Sequence, residues 1–117
     1  MFPRFAPPFS VTQSDGSHDW LIAVGEIDLM TAQTLSVAIE IAEQRAPPRL
    51  TVDLSGVTFI DVSGVRVLLQ AACRARAGGR RFAVARPSHQ VARLLELTAI
   101  SQSLEISETA PPAGRAL

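Results

Sequence analysis

The residues best placed for chemistry sit in two short acidic turns. The first is Asp61-Val62-Ser63-Gly64, which follows an apolar run and opens a helical pattern. A carboxylate there can accept hydrogen bonds from the free N–H groups of a helix's first turn, and its charge suits the positive end of the helix dipole. Gly64 lets another backbone approach closely. Two uses of this turn stay open: Asp61 acts only as an N-cap, or the turn is also a binding site at the end of a sheet, where α/β folds place their sites. The second turn is Gly25-Glu26-Ile27-Asp28. Its two carboxylates could hold a metal or serve acid–base work, but solvation and helix-start electrostatics explain them more simply.

Other candidates are weaker. Six of the eleven basic residues fall between Arg74 and Arg93: Arg74, Arg76, Arg80, Arg81, Arg86 and Arg93. Eight of the eleven acids precede Val62, so charge is polarised along the chain. Nucleic-acid binding would want interleaved aromatics, and only Phe82 qualifies. The cluster is therefore read as a solvated or protein-binding face. His18 and His89 have no neighbour at metal-ligand spacing and are read as surface residues. Cys73, the sole cysteine, is expected to be a core thiol, and Trp20 a core residue. There is no glycine-rich phosphate loop, nucleophile elbow or zinc pattern. No lysine is present to act as base or Schiff-base nucleophile, and no histidine is placed to activate a serine. The reading is therefore not an enzyme, with no metal and no cofactor.

The elements that must hold these turns are legible from periodicity. Phe9 to Gln13 and Trp20 to Val24 read as an edge hairpin, joined by the turn formers Ser14-Asp15-Gly16-Ser17. Leu35, Ala38, Ile39 and Ala42 recur at helical spacing, with Thr31 as the expected cap and Pro47-Pro48 as the stop. Leu50 to Leu54 is a strand that Ser55-Gly56 is expected to break. Val57, Phe59 and Ile60 are then more apolar than a solvated loop should be, and any left exposed would mark an interface. A second helix follows, with Val65, Leu68, Leu69 and Ala72 inward and Gly78-Gly79 at its end. Phe82 to Ala85 is a third buried strand. Pro87-Ser88 opens a third helix with Val91, Leu94 and Leu95 inward, and Leu104 to Ile106 adds a last strand. Strands alternating with helices predict an α/β fold with a largely parallel sheet and an antiparallel edge.

The chain has 117 residues, 47% of them hydrophobic, which is one domain able to bury its own core. Expected boundaries are a loose leader over 1–8, a domain over 9–107 and a loose tail over 108–117. A formal net charge of zero gives no global attraction to nucleic acid or to anionic membrane. No apolar run approaches the ~20 residues that span a bilayer. The proline-rich start is not a signal peptide, and one cysteine fits a reducing cytoplasm.

Gly25-Glu26-Ile27-Asp28 followed by Thr31-Ala32 resembles the first signature of the STAS family. Leu50-Thr51-Val52-Asp53-Leu54-Ser55-Gly56-Val57-Thr58-Phe59-Ile60-Asp61-Val62-Ser63-Gly64-Val65 resembles the second. Gly78-Gly79-Arg80 before a strand and Pro87 before the last helix also fit. The resemblance implies a single STAS-like domain with a four- to five-stranded mixed sheet flanked by helices. It also implies the role of the family's stand-alone bacterial members, the anti-sigma factor antagonists. These bind an anti-sigma factor, often a serine kinase of histidine-kinase-like fold, and so release a sigma factor; the kinase can reverse this by phosphorylating the antagonist. The family's acceptor serine directly follows the aspartate that matches Asp61, and here that position is Val62. Two readings stay open: a binder that the usual kinase cannot switch off, or Ser63 as a replacement phosphoacceptor. The expected partner-binding residues are Asp28, Asp61, Val62, Ser63, Gly64, Val65 and Arg66, the last as a rim charge. The alternative use of the same fold is a soluble subunit of a transport system or a signalling scaffold. Monomer or dimer stays open.

Overall fold

A computed structural model of the chain describes residues 8–13, 19–97 and 104–111. The expected hairpin turn with His18, residues 1–7 of the expected leader and residues 112–117 of the expected tail lie outside them. In chain order the elements are β1 (Ser10–Gln13), β2 (Trp20–Ile27), α1 (Leu29–Glu43), β3 (Arg49–Ile60), α2 (Val62–Ala77), β4 (Arg81–Ala85), α3 (His89–Leu97) and β5 (Glu105–Ser107). The strands form one sheet in the order β1-β2-β3-β4-β5. β1 runs antiparallel to β2, and every other pair is parallel. This is the single α/β domain with a mixed sheet that the alternation implied.

The core is built by α1 and α2. α1 buries Ala32, Leu35, Ile39 and Ala42. α2 buries Gly64, Val65, Leu68, Ala71, Ala72 and Ala75. Leu35, Ile39 and Leu68 are fully enclosed, together with Val52 and Leu54 of β3. Each such aliphatic side chain contributes about 1.5–3 kcal/mol of burial. The two helices pack on each other, and Arg74 Nε of α2 holds Glu43 of α1 at 3.1 Å. α3 packs against β3 and buries Val91 and Leu95. Ser88 caps it, its Oγ accepting from Val91 N at 3.3 Å.

Four expectations need correction. Ser55-Gly56 does not end β3, which runs on to Ile60. The pairing with β2 instead shifts register between Ile22 and Val24, and again between Gly25 and Glu26. β3 absorbs an extra residue at each shift, as a bulge does. Gly25 has φ +108 at the second shift, in the region only glycine enters freely. The cap of α1 is Asp28, not Thr31; Thr31 is its partner in a capping box. Cys73 is exposed, because it lies ~100° around the helix from the buried Ala72. Trp20 is half-buried. Alternation along β2 puts Leu21 and Ala23 on the covered face, and Trp20, Ile22 and Val24 on the other.

Candidate functional site

β2 and β3 end level. Ile27 pairs with Ile60, and the Asp61 N–H donates to the Ile27 carbonyl at 3.0 Å. The next residue on each strand is an aspartate, and each opens a helix. Two N-capped helix starts therefore stand side by side at one end of the sheet.

Both caps are complete. Asp28 Oδ1 accepts from Met30 N and Thr31 N, each at 3.0 Å. Its own N–H donates to Thr31 Oγ1 at 2.8 Å, and that hydroxyl also donates to the Glu26 carbonyl at 2.8 Å. The bond from the Thr31 backbone is the largest of several that hold the Asp28 carboxyl below its ordinary value of 3.8. Asp61 Oδ1 accepts from Ser63 N at 2.9 Å and Gly64 N at 3.3 Å. These carboxylates are consumed in fixing backbone. Neither belongs to a group of metal-ligating side chains among the described residues.

Gly64 seats the second start. A Cβ there would lie 2.6 Å from Ile27 Cγ2 and 2.6 Å from Ile60 Cγ1. A side chain would force α2 away from both strands. Gly64 and Val65 are buried, so of the expected partner-binding residues these two face the core and shape the turn from beneath. Val62 is 65% exposed, Ser63 is half-buried and Arg66 is exposed. Arg66 forms no ion pair among the described residues.

Of the apolar run before the turn, Val57 and Ile60 are buried while Phe59 is 49% exposed. The sequence reading also missed two large exposed residues. Leu29 and Met30 open α1, 76% and 81% exposed. Their signal was available: a helix's first turn favours acidic and small polar residues, and two large apolar ones there have no local reason to be present. Leu29, Met30 and Val62 thus sit in the first turns of the two helices, and Phe59 lies one residue before the end of β3, where it lines a cleft with Gln90, Val91 and Leu94 of α3. A single exposed apolar residue is ordinary; four near one end of the sheet make a candidate contact surface. Among the described residues Ser63 has no hydrogen-bonded histidine or carboxylate to activate its hydroxyl. The arrangement offers a surface on which a partner could dock.

The family model described as "Mlab, STAS domain" matches residues 10–106. The anti-sigma-B factor antagonist of Listeria monocytogenes is 28% identical over 96 residues, covering 82% of this chain and 84% of that protein. The crystal structure of an anti-sigma factor antagonist from Mycobacterium paratuberculosis superposes with a TM-score of 0.73 at 28% identity, covering 86% of this chain and 87% of that one. The phosphorylated form of SpoIIAA, a Bacillus cell fate determinant, shares the fold with a TM-score of 0.62 at 18% identity, over 85% of this chain and 90% of that one.

Proposed function

This chain belongs to the STAS-domain family, and we propose that it is an anti-sigma factor antagonist: a cytoplasmic, non-enzymatic binding domain that takes an anti-sigma factor away from its sigma factor. The observation that carries the reading is the apolar group Leu29, Met30, Phe59 and Val62 around two adjacent capped helix starts. Asp28, Asp61, Ser63 and Arg66 form its polar part, and Gly64 and Val65 hold it from below. The partner is an anti-sigma factor with a kinase-like fold, as the relatives' role implies.

Binding would bury the four apolar side chains. A phosphoryl group in such a surface adds nearly two negative charges and breaks the contact. Val62 occupies the position where the family carries its acceptor serine, and valine cannot be phosphorylated. Its 65% exposure makes it an apolar contact in its own right. The antagonist is therefore held in its binding-competent form, beyond the reach of the usual kinase switch. Ser63 is the remaining hydroxyl in the turn, and its modification is the other outcome of the test.

The test is affinity capture of the tagged protein from extract of its native host. Partners and the peptide covering residues 57–69 are then read by mass spectrometry. A co-purifying kinase-like anti-sigma factor with an unmodified peptide is the expected result. Phosphate on Ser63 that abolishes the complex would overturn the constitutive reading. Recovery of transporter or scaffold subunits alone would overturn the antagonist reading while leaving the fold untouched.

A further inference from the structure

The arginine cluster is resolved into two groups, with Arg93 apart on α3. Three of its members have carboxylate partners: Arg74 with Glu43, Arg86 with Asp53 and Arg81 with Glu105. Arg76 and Arg80 form no ion pair among the described residues. They line, with Arg81, a cleft of about 220 Å³ whose other walls are Ala72, Phe82 and Glu105. One water occupies about 30 Å³ of liquid, so the space exceeds a single water several times over.

The charge in this cleft is unbalanced. Its single carboxylate, Glu105, is already shared. Arg81 Nη2 donates to it at 2.8 and 2.9 Å and Arg81 Nε at 3.2 Å, while Arg49 Nη2 donates to it at 2.6 Å. Glu105 therefore has no charge left for Arg76 and Arg80. The end of α2 supplies little compensation, because its last carbonyls are taken up by backbone. Gly78 N donates to the carbonyls of Arg74 and Ala75, Gly79 N to that of Arg76, and Arg80 N to that of Ala75. Gly78 also leaves room for the Arg80 guanidinium: a Cβ there would lie 3.2 Å from both Nε and Nη2. Like charges gathered in one cleft raise each other's energy, and an anion placed among them removes that cost. Planar guanidinium forks match the oxygens of a phosphate group. Ala72 and Phe82, both at most 6% exposed, complete the lining and present little surface of their own, so the cleft is mainly polar.

We propose that this cleft is a binding site for a small phosphate-bearing anion, held by Arg76, Arg80 and Arg81. The site lies at the opposite end of α2 from the docking turn. The helix has 16 residues, so roughly 24 Å separates them. It stands independently of the antagonist reading.

The experiment is a titration of the full ¹⁵N-labelled chain, followed by amide shifts. Two probes are used, inorganic phosphate and phenyl phosphate, with sodium chloride at matched ionic strength as control. Saturable shifts confined to the amides around residues 76–82 are expected with phosphate and not with chloride. Tighter binding of phenyl phosphate would identify an organic phosphate as the ligand class; equal binding would identify the free anion. Arg76→Gln and Arg80→Gln should each weaken binding by about tenfold, the loss of one charge-assisted contact worth about 1.5 kcal/mol or more. Neither residue supports the core, so both variants should keep the wild-type spectrum elsewhere. Absence of saturable shifts, or shifts unchanged in the double variant Arg76→Gln/Arg80→Gln, would overturn the proposal.

Discussion

Val62→Asp tests the docking surface most directly. Val62 is the first helical residue of α2 and is 65% exposed. In the free protein the substitution should cost little. A carboxylate in the first turn gains about 0.3–1 kcal/mol from the helix dipole, which offsets repulsion from Asp61 and any lost contact. In the complex the effect is large. Full burial of a valine side chain is worth about 1.5–3 kcal/mol, and Val62 has roughly two-thirds of that still to gain, about 1–2 kcal/mol. The variant forfeits this gain. It also leaves a carboxylate desolvated without a partner, which adds at least ~1–3 kcal/mol. The sum of about 2–5 kcal/mol corresponds to a loss of roughly 30-fold to several-thousand-fold in affinity. Val62→Ala loses only part of the apolar term and should weaken binding by less than about tenfold. Calorimetry against the captured anti-sigma factor measures both, and urea unfolding of the free variants verifies the fold. Unchanged affinity of a folded Val62→Asp protein would refute the placement of the interface at this turn.

Gly64→Ala should destabilise the protein by about 1–3 kcal/mol in urea unfolding, because its Cβ would press on Ile27 and Ile60. Arg86→Gln should cost more than a surface change. Asp53 is 3% exposed and its partner Arg86 37%, so the loss should approach but not reach the ~3–5 kcal/mol of a fully buried pair. Asp28→Asn tests the first cap through pH. The folded carboxyl is held below its ordinary value of 3.8, so its charge-dependent contribution is complete above that value. It falls away as the pH drops from there through the lower folded value. The stability gap between wild type and Asp28→Asn should therefore be present at neutral pH and close on acidification; a gap independent of pH would contradict the cap assignment.

The alternation of strands and helices was legible because α1, α2 and α3 keep apolar residues at helical spacing, and because prolines follow α1 and glycines end α2. The two acidic turns were legible as helix starts for the same reason. Less legible was what depends on register. Ser55-Gly56 has the composition of a break, yet the parallel ladder to β2 carries β3 through it, and no local signal reports a partner strand's hydrogen bonds. Cys73 and Trp20 were misplaced by one position on a helix and one face of a strand. A one-residue error is enough to turn a side chain outward. Helical periodicity does not single out Leu29 and Met30, because it reports which residues face the core. It does not ask which apolar residues lack a core to face.

The docking end owes its use to the completeness of its own hydrogen bonds. Asp28 and Asp61 satisfy the first N–H groups of α1 and α2 within the chain, so both helix starts are formed before a partner arrives. Gly64 locks them in register against Ile27 and Ile60. A surface fixed in advance loses little conformational freedom on binding, so more of the apolar burial at Leu29, Met30, Phe59 and Val62 appears as affinity. The same rigidity makes residue 62 decisive. It is the first residue beyond a fixed cap, so the backbone that carries it is held by the Asp61 hydrogen bonds to Ser63 and Gly64. A hydroxyl at that position offers a place for a switch, whereas valine adds contact and removes the switch. In the proposed reading, the side chains at positions 62 and 63 together decide whether the surface is governed by phosphorylation: valine at 62 removes the usual acceptor, and Ser63 is the hydroxyl that remains.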